Sequence, residues 1–266
     1  MFRRVRAGQH GPMNTFFGFY QAIGPALSLL VVLTFVLAGA VKGVIGLGLP
    51  TVAMGLLGLA MAPAQAAALL IVPSALTNLW QLAAGGHLRV LLRRLWPLLL
   101  MIFIGTLLGS ALLGINSGAW AAHALGAALL VYALYGLLHP GLHLPARHEP
   151  WLGPVCGLLT GVITAATGVF VIPAVPYLQA LGLNREQMVQ ALGLSFTVST
   201  LALALGLAGQ GALGGEALGA SLLVLAPALL GMLLGQWLRQ RISALMFKRC
   251  FFIGLALLGA HLLLNG

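Results

Sequence analysis

The stretch Leu37-Ala-Gly-Ala-Val-Lys42-Gly-Val-Ile-Gly46-Leu-Gly48-Leu-Pro50 places one lysine inside a long apolar run. A cation at membrane depth costs about 2.5–3.5 kcal/mol on insertion scales, so it is rare without a partner or a task. The glycines and the proline around Lys42 favour an interrupted helix with exposed backbone. The stretch therefore predicts a broken membrane helix beside a buried cation, an environment that suits an anion.

The composition of the whole chain agrees with a membrane location. Of the 266 residues, 61% are hydrophobic and only 6% are charged, which is too apolar for a soluble domain. We expect an all-α polytopic membrane protein with about eight hydrophobic segments, at 22–46, 64–83, 95–114, 120–138, 152–176, 187–208, 217–237 and 248–264. Two shorter apolar pieces, 49–61 and 168–181, are too short to span and are predicted to form half-helices.

The formal net charge of +10 would suggest nucleic-acid binding in a soluble chain. Here the positive residues cluster between apolar segments, so we interpret them as cytoplasmic loop anchors and expect no nucleic-acid partner. The two cysteines indicate neither a disulfide framework nor a metal cluster. The first apolar run is longer than the core of a signal peptide, so we expect no cleavable signal.

Internal similarity divides the chain into an N-terminal tail (1–21), a first transmembrane repeat (22–138), a linker (139–150) and a second repeat (151–266). Both repeats open with a Gly-x-x-x-Gly-Val-Ile motif, at residues 39–45 and 157–163. Internal repeats are typical of secondary transporters. Chance spacing among the 36 glycines is the alternative, because small residues recur wherever membrane helices pack.

The charges favour inverted repeats. If 152–181 is a re-entrant hairpin, the basic gaps 85–94 and 238–249 share the cytoplasmic face. The N-terminus then lies outside despite Arg3, Arg4 and Arg6, but if translation begins at Met13 no charge precedes Lys42. A parallel arrangement of eight full spans stays open, because the charge rule is statistical.

Lys42 and its neighbours form the first part of a predicted substrate site. Backbone amides near Gly46 and Gly48 would add donors, and a half-helix starting at Pro50 would direct its positive dipole end to the break. The alternative is a simple kink with Lys42 snorkelling to the interface.

Threonines and amides supply the remaining candidates. Thr164 and Thr167 lie in the second broken motif, where Thr160 takes the place of Lys42. Asn78 and Ser199 lie on polar stripes of the helices that follow the two hairpins. The alternatives are back-bonding of each threonine to its own helix and hydrogen bonding between helices.

Enzymatic chemistry is not expected. The chain has no Asp, and its three glutamates fall at segment ends, so it offers no carboxylate pair and no Ser-His-Asp combination. We predict no catalytic residue, no metal ligand and no cofactor. Ion coupling would depend on a histidine, on the proton of the substrate or on the membrane potential.

These motifs resemble the TauE/SafE family, the sulfite exporters and 4-toluene sulfonate uptake permeases. The resemblance is carried by residues 38–50 and by residues 156–173, and it covers about 22–264. It implies a transporter of sulfite, organosulfonates or related small acids. The sequence departs from the family at 164–167, where the family tends to have a glycine cluster.

The sequence therefore predicts a multi-pass inner (plasma) membrane transporter of a small anion, working by alternating access between two repeats. Its expected partners are the anionic substrate and membrane lipid, and a homo-oligomer is compatible with the sequence. A passive anion channel and a non-transporting membrane partner protein are the alternatives. The predicted site comprises Lys42, Gly46, Gly48, Asn78, Thr164, Thr167 and Ser199.

Overall fold

The computed structural model describes residues 12–113, 118–138 and 141–265. This part of the chain is helical, with α1 (Pro12–Ile45), α2 (Leu49–Leu57), α3 (Pro63–Ala83), α4 (Leu88–Leu112), α5 (Gly118–Leu138), α6 (Glu149–Thr167), α7 (Ala174–Ala180), α8 (Arg185–Gly209), α9 (Gly215–Leu223), α10 (Leu225–Arg239) and α11 (Ala244–Asn265). Eight helical stretches within it, counting α9 and α10 as one, are long and apolar enough to span a membrane. The all-α polytopic fold is thus confirmed.

Three predicted segment boundaries are wrong, and the first is the start of α1, which lies at Pro12 and not at 22. Helix α4 begins at Leu88 and not near 95, since arginine is a good helix former and its long stem lets the charge reach water. Helix α6 ends at Thr167, well before 176, because Gly168 takes a left-handed conformation with φ of 70° and terminates it. The short apolar pieces do form separate short helices, α2 and α7.

Glycine seams join helices from opposite halves of the chain. Along α1 and α10, Gly39 lies against Ala228 and Gly43 against Gly235, so the two helices run parallel. Helices α4 and α6 are likewise parallel, with Gly157 against Leu98. A Cβ atom at Gly39 would lie 2.1 Å from the Ala228 carbonyl oxygen, so only glycine permits this approach.

The other large contacts between the halves are antiparallel. Between α3 and α8, the Asn78 amide donates a hydrogen bond to the Thr200 hydroxyl, and the Gln190 amide donates one to the Leu82 carbonyl. In α5 and α11, Gly126 lies against Leu263 and Gly136 against Phe252. Inverted repeats require corresponding helices of the two halves, such as α3 and α8 or α5 and α11, to run in opposite directions. The observed directions agree with inverted repeats, and the inversion itself remains a prediction.

These directions bring the ends of the helices to two faces. Helices α1, α3, α5 and α10 end on the face where α4, α6, α8 and α11 begin, and we call it the basic face. Apart from Lys42, the cations of the described residues all lie at this face: Arg89, Arg93, Arg94, Arg147, Arg185, Arg239, Arg241, Lys248 and Arg249. By the positive-inside rule we expect it to be the cytoplasmic face.

Candidate functional site

Lys42 lies in the last turn of α1 and is only 4% exposed. Its Nζ atom donates to Thr77 Oγ1 at 3.0 Å and to Asn78 Oδ1, both on α3. Asn78 in turn donates through Nδ2 to Thr200 Oγ1 of α8 at 3.2 Å. Both oxygens that accept from Lys42 are neutral, and together they use two of the three N–H bonds of the ammonium group. The charge is thus held in place without being neutralised.

The chain breaks directly after Lys42. Gly46 and Gly48 adopt φ values of 84° and 101°, which side chains rarely tolerate, so the helix stops and α2 starts in a new direction. Gln81 Nε2 donates to the Gly46 carbonyl oxygen at 2.6 Å, which satisfies an acceptor freed by the break. A simple kink does not describe this segment, because the chain leaves α1 and enters the separate helix α2.

A cavity of about 500 Å³ reaches from Lys42 to the basic face. Arg185, Arg239 and Lys248 line it together with Lys42, and among the residues that the structure describes no carboxylate does so. Backbone and amide groups complete its polar surface, including Gly46, Gln81, Gln179 and Gln236. The cavity is therefore cationic from its mouth to its inner end and is suited to anions.

The predicted site residues are only partly brought together. Lys42 and Gly46 line the cavity, and Asn78 holds Lys42 from behind. Gly48 faces Val41 and Phe251 and does not line the cavity. Ser199 is fully buried, and its hydroxyl has no hydrogen-bond partner.

The two predicted threonines of the second motif bond to their own helix. Thr164 Oγ1 donates to the Thr160 carbonyl and Thr167 Oγ1 to the Ile163 carbonyl, both at 2.7 Å. Thr160, the counterpart of Lys42, accepts from the backbone N–H of Ala174 at 3.1 Å and so caps α7. The second motif stabilises its own hairpin, whereas the first supplies the charge.

Several residues of the cavity were not predicted as site residues. Gln81 follows Ser74, Thr77 and Asn78 on one face of α3, so extending that polar stripe by one turn would have found it. Arg185, Arg239 and Lys248 come from distant segments and read as ordinary loop anchors in the sequence. Only the parallel packing of α1 on α10 brings Arg239 near Lys42.

A bundle of membrane-spanning helices around a broken helix and a cationic cavity defines a polytopic membrane protein built to handle anions. The family model described as sulfite exporter TauE/SafE matches residues 31–262. The chain therefore belongs to the TauE/SafE sulfite exporter family, and the protein is a membrane transporter of sulfur anions and not an enzyme. No curated protein and no solved structure matches the chain.

Proposed function

We propose that the protein carries a small sulfur oxyanion, such as sulfite or an organosulfonate, across the inner membrane by alternating access. The observation that carries this proposal is the buried Lys42 ammonium, whose two protein acceptors are neutral oxygens. A buried charge without an opposite charge is strongly unfavourable, whereas an anion beside it would gain charge-assisted hydrogen bonds. Lys42 is thus complementary to a substrate of one negative charge.

The size of the cavity is consistent with such a substrate. Liquid water occupies about 30 Å³ per molecule, so the cavity of about 500 Å³ has room for an anion and part of its hydration shell. An anion entering from the cytoplasmic face would meet Arg185, Arg239 and Lys248 before it reached Lys42. The cationic mouth would raise the local anion concentration and the rate of entry.

Further donors continue the face of α8 on which Arg185 and Leu192 line the cavity. Ser195 and Ser199 are one turn apart on α8, are fully buried, and carry hydroxyls without a hydrogen-bond partner. Ser199 precedes Thr200, the residue that accepts from Asn78. Buried polar groups are normally satisfied, so two unpaired hydroxyls on the helix face that continues the cavity lining support a role in holding the oxygens of the substrate.

The test is uptake of labelled sulfite and of organosulfonates by proteoliposomes containing wild type, Lys42→Met or Arg249→Met. Arg249 lies on the same face but does not line the cavity, so its variant controls for loss of one positive charge. We expect Lys42→Met to lower uptake at least about tenfold, since hydrogen bonds to charged groups are worth about 1.5–3 kcal/mol. Unchanged uptake by Lys42→Met would refute the assigned site, and non-saturating flux with single-channel currents would favour a channel.

A further inference from the structure

Helix α3 lines a second cavity at its other end. This cavity of about 300 Å³ lies on the face opposite the basic face. It is formed by α3, the start of α9, the loop before α9 and the outer end of α1, through Phe19, Ala64, Gln65, Ala68, Leu69, Ala212, Gly214, Glu216 and Ala217. We call it the outer cavity, and the one at Lys42 the inner cavity.

The two cavities are separated by a short barrier of packed protein. Along α3 the outer cavity reaches Leu69 and the inner cavity begins at Trp80, so residues 70–79 line neither. At 1.5 Å per residue this barrier is about 15 Å thick. It contains Thr77 and Asn78, which hold Lys42, and so the inner end of the barrier is the candidate site itself.

The outer end of the barrier is closed by a hydrogen bond between helices. Pro73 has no N–H, so the Leu69 carbonyl lacks its helical donor. Ser221 Oγ of α9 donates to that carbonyl at 2.8 Å and accepts from the Val72 N–H at 3.0 Å. Ser221 is fully buried, and its hydroxyl repairs the interrupted turn of α3.

Helix α9 is also tied to α1. Tyr20 Oη donates to the Ala220 carbonyl at 2.9 Å. One turn further along, α9 is separated from α10 by a break at Val224, and Pro227 removes the donor that the Leu223 carbonyl would need. The two side-chain ties of α9, to α1 and α3, therefore lie within one turn of a weak joint.

We propose that the outer cavity is the second mouth of the anion path, and that α9 is its gate, held shut by Ser221 and Tyr20. This inference rests on the proposed function. When the two ties break, α9 swings about the joint at Val224, the barrier opens between Leu69 and Ser74, and the anion at Lys42 gains access to the outer cavity. The presence of Glu216 in that cavity favours release, since a carboxylate repels the departing anion.

Position 74 is suited to a cysteine whose labelling reports whether the gate is open. Ser74 lies directly after Pro73, is 2% exposed, and its hydroxyl has no hydrogen-bond partner. A cysteine there should be unreachable while the gate is shut and reachable from the outer face when it opens.

The experiment measures labelling of Ser74→Cys by a membrane-impermeant thiol reagent added to the outer face, in a background with Cys156→Ala and Cys250→Ala. We expect Ser221→Ala and Tyr20→Phe each to raise the labelling rate about fivefold, because losing one hydrogen bond should shift the equilibrium between closed and open gate by about that factor. Thr106→Val is the matched control, because the buried Thr106 hydroxyl bonds only to Ile102 of its own helix. Gln65→Cys, at an exposed position of the outer cavity, should label from outside in every variant.

Each outcome is decisive. Failure of Gln65→Cys to label from outside overturns the second mouth. Equal labelling of Ser74→Cys with and without the Ser221 and Tyr20 changes overturns the gate. Because labelling needs no substrate, these results are independent of the uptake assay, in which an unaffected Lys42→Met would overturn the proposed function instead.

Discussion

At the scale of single residues, the neutrality of the Lys42 environment determines what the site can bind. Thr77 and Asn78 present oxygens that hold the ammonium group without cancelling its charge. A carboxylate in either place would form an internal ion pair and leave nothing for a substrate anion to neutralise. If Lys42 binds the anion as proposed, the identity of Asn78 matters to that binding as much as the identity of Lys42.

We predict that Asn78→Asp abolishes transport while the protein still folds. The new carboxylate would pair with Lys42 and compete with the substrate, so we expect at least about a tenfold loss of uptake. Thr200→Val is the control, because it removes only the acceptor behind Asn78 and leaves Lys42 its two oxygens. Uptake and thermal stability in detergent are measured on the same preparations, and wild-type uptake by Asn78→Asp would contradict the prediction.

Part of this site could be predicted from the sequence. The cation, the glycines and the proline lie within one short stretch, so Lys42 and the helix break at Gly46 could be recognised locally. The bond from Gln81 to Gly46 and the approach of Arg239 and Lys248 depend on packing between segments far apart in the chain. Threonine hydroxyls that bond to their own helix look the same in sequence as those that line a path, which is why the assignment of Thr164 and Thr167 to the site remains a prediction.

At the scale of helices, the glycine seams set how closely α1 and α10 pack. Carbonyl oxygens of one helix lie directly over the glycines of the other, at Gly39, Gly231 and Gly235. Close backbone contact replaces the hydrophobic effect as the force that joins helices in lipid.

Gly39→Ala should therefore destabilise the protein by about 1–3 kcal/mol, the usual cost of overpacking. The added methyl group would lie 2.1 Å from the Ala228 oxygen, and backbone cannot move aside as a side chain can. Gly254→Ala is the matched control, since a methyl group there meets nothing within 4 Å. The free energy of unfolding in mixed micelles gives the comparison, and equal values for the two variants would show that the seam is looser than described.

At the scale of the whole molecule, charge is distributed unequally between the two cavities. The inner cavity has four cations and, among the residues described, no carboxylate, whereas the outer cavity contains Glu216. The charges on one face also fix which face remains in the cytoplasm.

We predict opposite reactivity of two introduced cysteines. Gly86 lies in the loop between α3 and α4, and Gly214 lies directly before α9 on the other face. Impermeant thiol reagents should label Gly214→Cys in intact cells, and Gly86→Cys only after the membrane is opened. Both glycines have open space around them, so neither change should disturb packing. Labelling of both from the same side would rule out the described topology.

We also predict that the cationic mouth controls entry more than turnover. Lys248→Gln should raise the KM for anions entering from the cytoplasmic side severalfold at low salt, and the difference should shrink as salt screens the field. Arg147→Gln, on the same face but outside the cavity, should leave KM unchanged. A fall in maximal rate at constant KM would instead place Lys248 in the translocation step.

The parallel seam between α1 and α10 also affects how the protein is made. Gly39 and Ala228 are separated by 228 − 39 = 189 positions, so α1 enters the bilayer long before its main packing partner exists. At about 5–20 residues per second, synthesis of that stretch takes roughly 10–40 s. During this interval the glycine face of α1 lacks the helix against which it packs in the finished protein. The α1–α10 seam can therefore close only after most of the second half of the chain has been made.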